Sequence, residues 1–267
     1  MTDKTQLLDG LLADLRAETD QLWATVSGLD DAGWRTPTPP EGWDVATQVA
    51  HLLWTDEVAV AAARARTDPT PWDDVVAAAL ADPAGYVDTA AREIATLSPQ
   101  ALLARWGAAR DALGTTLRAY PVGERMPWFG PPMSAASMAT ARFMETWAHG
   151  HDVYAALGIE PAVTDRIRHV AHLGVRTRNF AFATNGLDAP LEEFKVRLTA
   201  PSGETWAWGP AEAPQSVRGS AYDFCQLVTQ RINRVDTDLE ATGPDANRWL
   251  DIAQAFAGLP GAGRPPR

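Results

Sequence analysis

The stretch Arg142-Phe143-Met144-Glu145-Thr146-Trp147-Ala148-His149-Gly150-His151-Asp152 decides how this chain is read. It lies inside a run of helical periodicity from Ser134 to Leu157. At about 100° per residue, Arg142, Glu145, His149 and Asp152 fall on one face of that helix. Four ionisable groups on one face are costly to bury unless something pairs them. Glu145 and His149 are one turn apart, so a carboxylate oxygen and an imidazole nitrogen can converge on one point. That is the geometry of a metal site carried by a helix. A Glu-x-x-x-His pair by itself is also the pattern of a solvated i,i+4 hydrogen bond. A third ligand is at hand in His51, flanked by Val49, Ala50, Leu52 and Leu53 on a second apolar helix. His51 alone would read as a core histidine bonded to a backbone carbonyl. The two elements together strengthen the case for a divalent metal held by His51, Glu145 and His149, while the hydrogen-bonded and core readings stay open. His151 falls well off the shared face, near Trp147, and is not counted as a ligand.

Residues Gly42-Trp43-Asp44-Val45 leading into Ala50-His51-Leu52, followed by the Arg-x-x-Glu-x-x-x-His-x-x-Asp run from Arg142 to Asp152, resemble the mycothiol-dependent maleylpyruvate isomerase family. Its metal-binding domain is a DinB-like four-helix bundle. The resemblance covers roughly residues 5 to 160. It implies that His51, Glu145 and His149 hold a divalent metal, and that the cosubstrate is mycothiol, a low-molecular-weight thiol. It further implies an isomerase or transferase acting on a small molecule. Two imidazoles and one carboxylate suit zinc, nickel, iron or manganese alike, and zinc is the first expectation among them. Three protein ligands leave open positions, the mark of a catalytic rather than a structural site. Two other readings use the same residues: a non-catalytic metal or small-ligand binding protein, and a metal-dependent hydrolase or cyclase. Asp152 is expected to accept from an imidazole N–H and fix its tautomer. Arg142 is expected to pair with Asp152 or Glu145, or to meet a substrate carboxylate.

Composition narrows the field. With 267 residues and 46% hydrophobic content the chain can build a substantial core, in two domains or one large one. The formal net charge of −11 and the lack of a basic cluster argue against nucleic acid as a partner. No apolar run reaches the length that spans a bilayer. The N-terminal residues Met1 to Gln6 lack the pattern of a secretion signal, and one cysteine cannot form an internal disulfide. A cytoplasmic protein is expected. Cys225, amid Phe224, Leu227 and Val228, reads as a buried small hydrophobe. Eleven tryptophans are many. Those near Pro and Gly (Trp34, Trp43, Trp72, Trp128) either roof a pocket or pin loops to the core.

The periodicity predicts an α+β protein. A first helix runs from about Lys4 to Gly28, and a second starts at an Asp44 N-cap and reaches about Arg66. Shorter helices follow over 73–80 and 84–97, then one opened by Ser98-Pro99 and ending near Ala119. Pro121 to Met133 is a loop. The ligand helix runs from a Ser134 cap to Gly158, and another helix spans Thr164 to Asn185. That helix carries His169 and His172 among arginines, the pattern of a solvated or interdomain face.

After Asp188 the period becomes two. Phe194 to Thr199, Thr205 to Trp208, Ser216 to Gly219 and Thr237 to Thr242 read as strands, with a hairpin turn at Ser202-Gly203. Helices are expected over 221–232 and 244–257, and the tail from Gly258 is expected to be disordered or draped. This order resembles a sterol-carrier-like domain, though the segment before Arg231 lacks that family's usual glycine. The expected domains are residues 1–187, the metal-binding bundle, and 188–267, a small α+β unit. Arg231 in the second is a candidate contact for a substrate anion.

Overall fold

A computed structural model describes residues 2–258, 260–261 and 263–267; Met1, Leu259 and Ala262 lie outside it. The chain divides into two compact units, residues 1–160 and 161–267.

Unit 1 is built on four long helices: α1 (Thr2–Val26), α3 (Val45–Arg64), α6 (Pro99–Ala119) and α7 (Ala135–Leu157). Three shorter ones, α2 (Asp31–Trp34), α4 (Thr70–Ala81) and α5 (Tyr86–Ile94), fill the connections. The apolar stripe of α1 packs on α7, while α3 packs on α5, α6 and α7. Leu22, Val26, Val49, Leu52, Leu53, Leu102, Trp106 and Val153 form the centre of the core. Of Leu7, Leu8, Leu11, Leu12, Leu15, Leu22 and Val26, which recur at helical spacing along α1, Leu7 alone faces solvent, at 58% exposure. The short α2 has no forecast in the periodicity; it folds because the Asp30 side chain caps Gly33 N–H and Trp34 is buried.

Local chemistry sets the helix ends. The Asp44 carboxylate accepts from the Thr47 N–H at 2.8 Å and from the Thr47 hydroxyl at 2.7 Å, opening α3 where expected. Ser98 and Ser134 cap α6 and α7 in the same manner. Gly158 closes α7 in the left-handed conformation at φ 66°, which an L side chain resists.

Unit 2 holds α8 (Arg168–Arg176), α9 (Arg178–Thr184), strands β1 (Lys195–Thr199), β2 (Thr205–Trp208), β3 (Ser216–Ser220) and β4 (Glu240–Thr242), and helices α10 (Ala221–Val228) and α11 (Pro244–Ile252). The sheet order is β2-β1-β3-β4, with β1 and β3 parallel and the other pairs antiparallel. Val196, Leu198, Trp206 and Val217 are its buried residues. Cys225 is buried, as read, and burial pushes its thiol well above the usual range. The tail after Gly258 is draped where described: the Asn233 side chain donates to Arg264 O at 2.8 Å, and Arg267 N–H to Asp236 at 2.9 Å.

Three expectations need correction. The boundary lies at residues 160 and 161, not at 187 and 188, because α8 and α9 pack with the sheet unit. Gly174 of α8 is so close to α10 that a Cβ there would sit 2.9 Å from Val228. Arg178 of α9 donates to the carbonyls of Pro190 (3.0 Å) and Glu192 (2.6 Å), tying the connection into β1. The predicted single helix over 164–185 is broken at Thr177, whose hydroxyl bonds back to Leu173 O at 3.0 Å. Finally, α10 stops at Val228 rather than Ile232. Gln230 takes φ 60°, with Gln230 N–H on Leu227 O and Arg231 N–H on Gln226 O. That is a Schellman ending with glutamine where glycine is the usual occupant. Arg231 therefore follows the helix instead of lying in it.

The Asp44 cap is the local feature most open to test. Asp44→Ala should lower the unfolding free energy by about 1–2 kcal/mol, read from the denaturation midpoint.

Candidate metal centre

The apolar faces of α3 and α7 bury against each other, and this brings His51 and the Glu145–His149 pair together. Each residue offers one ligand atom, and the three atoms lie within 4.8 Å of one another. Glu145 Oε2 is 3.4 Å from His51 Nε2 and 3.2 Å from His149 Nε2. Two donors each about 2.1 Å from one cation, at angles between octahedral and tetrahedral, stand roughly 3.0–3.4 Å apart. The side chains are 9%, 23% and 14% exposed for His51, Glu145 and His149, so the cluster is sheltered but reachable.

The tautomer of His149 follows from its neighbours. Gln48, fully buried on α3, donates its amide to the Thr38 hydroxyl at 2.8 Å, and that hydroxyl donates to Trp43 O at 3.0 Å. The other end of the Gln48 amide, Oε1, therefore accepts from His149 Nδ1 at 2.6 Å. With its proton on Nδ1, a neutral His149 turns the lone pair of Nε2 toward the Glu145 carboxylate. Two lone pairs face each other there unless a cation or a proton lies between them. The donor set thus fits a divalent metal, and it would bind through Nε2 of both histidines and one oxygen of Glu145. Burial raises the Glu145 carboxyl, but where a proton rather than a cation lies at Nε2 of His149 and His51, their hydrogen bonds outweigh it and hold the group well below the usual carboxylate range.

Aromatic rings wall the cluster. Trp43 stacks on His149 at 5.9 Å between centroids and 20° between planes, and its centroid lies 5.5 Å from that of His51. The Trp54 ring centroid lies 6.0 Å from that of His51, and Tyr86 meets Trp54 edge-on at 5.4 Å. Of the loop tryptophans, Trp43 is the one at the site. Trp128 instead stacks on Trp72 at 6.1 Å, and Trp34 is buried beneath α3.

The remaining candidates are placed differently from expectation. Arg142 is 2% exposed and pairs with Asp56 of α3, its Nε donating at 2.9 Å, not with Asp152 or Glu145. Burial raises the Asp56 carboxyl against the opposing pull of Arg142. Asp152 is buried at 1% exposure, but the acceptor for the His149 Nδ1–H is Gln48. His151 lies outside the three clustered residues: its Nδ1 meets Trp147 O at 2.8 Å, and its ring is tilted against that of Trp147 at 3.9 Å between centroids. His172 receives the Trp208 indole N–H at 3.2 Å within unit 2. Arg231 Nη1 donates to Thr229 O at 2.5 Å within unit 2. Sequence reasoning passed over Gln48 and Asp56. A signal for Gln48 existed, since it precedes His51 by three positions and shares its helix face. Two cavities of the bundle, about 330 and 370 Å³, contain no triad residue, and the arginines Arg16, Arg110 and Arg118 in the first are paired with aspartates.

Comparison with known proteins agrees with this architecture. The family model described as mycothiol maleylpyruvate isomerase N-terminal domain matches residues 15–154, which hold all three clustered residues. An uncharacterized protein found in two strains of Mycobacterium tuberculosis is 56% identical over 253 residues, 95% of this chain and 97% of its own. The crystal structure of the mycothiol-dependent maleylpyruvate isomerase aligns with a TM-score of 0.58 at 16% identity, over 90% of this chain and 95% of the other. A histidine-to-alanine mutant of that enzyme aligns at a TM-score of 0.57. At that identity the likeness is one of fold.

Gln48→Leu removes the acceptor of the His149 proton while keeping side-chain bulk. Divalent-metal affinity, measured by titration against a chromophoric chelator, should fall about 10- to 100-fold. His151→Ala should leave it nearly unchanged.

Proposed function

Because the chain belongs to the mycothiol maleylpyruvate isomerase N-terminal domain family, we propose that it is a divalent-metal-dependent enzyme using a low-molecular-weight thiol of the mycothiol kind. It isomerises, or transfers the thiol to, a small molecule. The observation that carries this reading is the convergence of His51, Glu145 and His149 from two helices, with the His149 tautomer set for ligation.

The residues divide the work. His51 and His149 present Nε2, and Glu145 supplies the negative charge that a divalent cation needs. Gln48, steadied by Thr38, keeps the His149 proton on Nδ1. Trp43 and Trp54 cover the imidazoles and exclude water from their flanks. When bound, the cation would offer open positions at which a coordinated thiol loses its proton near neutral pH. Zinc is the ion best matched to this borderline donor set, and nickel, iron and manganese are its competitors. Arg142 is not a substrate-binding group in this scheme, because its guanidinium is buried on Asp56. Arg231 of unit 2 is the proposed contact for a substrate anion.

The test uses the cobalt(II)-loaded protein. Adding mycothiol should produce a sulfur-to-metal charge-transfer band in the near ultraviolet. His149→Ala should take up little cobalt and show no such band, since two remaining ligands seldom suffice. A spectrum unmoved by saturating thiol would reject the thiol chemistry and leave water activation or carbonyl polarisation at the same cation.

A further inference from the structure

The buried pair Arg142–Asp56 has no part in the chemistry just described, and its cost calls for an account. Arg142 is 2% exposed and Asp56 5% exposed, so both charges are buried inside the bundle. One nitrogen, Nη2 of Arg142, is buried with no hydrogen-bond partner among the described residues. An ion pair taken out of water and incompletely bonded is poor value as a source of stability; apolar residues of similar volume commonly serve as well or better. Its placement is more telling. Arg142 lies on α7 three residues before Glu145, on the same face. Asp56 lies on α3, little more than a helical turn after His51. The 2.9 Å bond between them therefore joins the two helices that carry the ligands, within about two turns of the cluster itself.

Apolar packing between two helices is non-directional and tolerates small slides. A charged hydrogen bond with a fixed donor and acceptor does not. The distance between His51 Nε2 and Glu145 Oε2, which bridge the same two helices, depends on that alignment. We infer that Arg142 and Asp56 are positioning residues: their ion pair sets the axial alignment of α3 against α7 and so the span between His51 and the Glu145–His149 pair. This rests on the metal reading above and adds to it a reason for a costly buried charge.

The experiment compares two double variants as cobalt(II) proteins. Asp56→Leu with Arg142→Met removes the pair without stranding either charge, and should give a folded protein with a cooperative melt. Its cobalt affinity should nevertheless fall at least about tenfold, and its visible d–d absorption should change in shape, because the ligand spacing is no longer held. The control removes the neighbouring exposed pair, Glu57→Leu with Arg105→Met, which joins α3 to α6 through a 2.7 Å contact. That variant should keep the parent affinity and spectrum.

Unchanged affinity and spectrum in a folded Asp56→Leu/Arg142→Met protein would overturn the positioning role while leaving the metal site intact. If the double variant does not fold, Asp56→Glu decides. It keeps the charge but lengthens the tie by one methylene, and should weaken cobalt binding at least about threefold with a shifted spectrum. No change there overturns the proposal equally. A parent protein that takes up no cobalt rejects the metal reading itself, and the positioning role with it.

Discussion

A carboxylate between two imidazoles, sheltered by tryptophan, is the constraint around which the helical unit is arranged. Glu145 is held as an anion by His51 and His149, and both histidines must reach it from sequence positions far apart or one helical turn away. A charge in that setting is tolerable only when its partners are placed close enough to bond it. The surrounding structure supplies that placement in three ways: apolar packing of α3 on α7, a hydrogen-bond chain through Thr38 and Gln48, and a buried ion pair nearby.

These three differ in what they can specify. Packing of Val49, Leu52, Leu53 and Val153 drives the helices together but is indifferent to small rotations. The Gln48 amide is directional at both ends, so it selects a tautomer as well as a ring orientation. Trp43 reaches the site because the Asp44 cap fixes where the chain enters α3, which ties loop conformation to cluster geometry. A helix start, a loop tryptophan and an imidazole proton are thus coupled through a few residues.

The family relationship and the site reading support each other without being the same argument. Membership in the mycothiol maleylpyruvate isomerase N-terminal domain family concerns residues 15–154, and the cluster lies wholly inside that span. The C-terminal unit has its own sheet, core and helix pairings, and begins before the change of periodicity suggests.

Short-range chemistry made much of this legible from the sequence. The caps at Asp44, Ser98 and Ser134, the glycine ending at Gly158 and the Ser202-Gly203 turn are set by residues a few positions apart, as is the i,i+4 geometry of Glu145 and His149. The four strands were visible for the same reason. What the chain could not declare by local pattern was partnership across helices. Arg142 needed a counter-ion, but Asp56 rather than Asp152 supplies it, because the face of α7 that buries Arg142 meets α3. Gln48 became the acceptor for His149 only once Thr38 had oriented its amide. Helical periodicity in α8 and α9 looks the same whether the apolar face is used by a bundle or by a sheet unit. Gly174 against Val228, and Arg178 on the carbonyls before β1, decided it for the sheet unit, since burial and hydrogen bonding are settled by which surfaces meet and not by the order of residues along one of them.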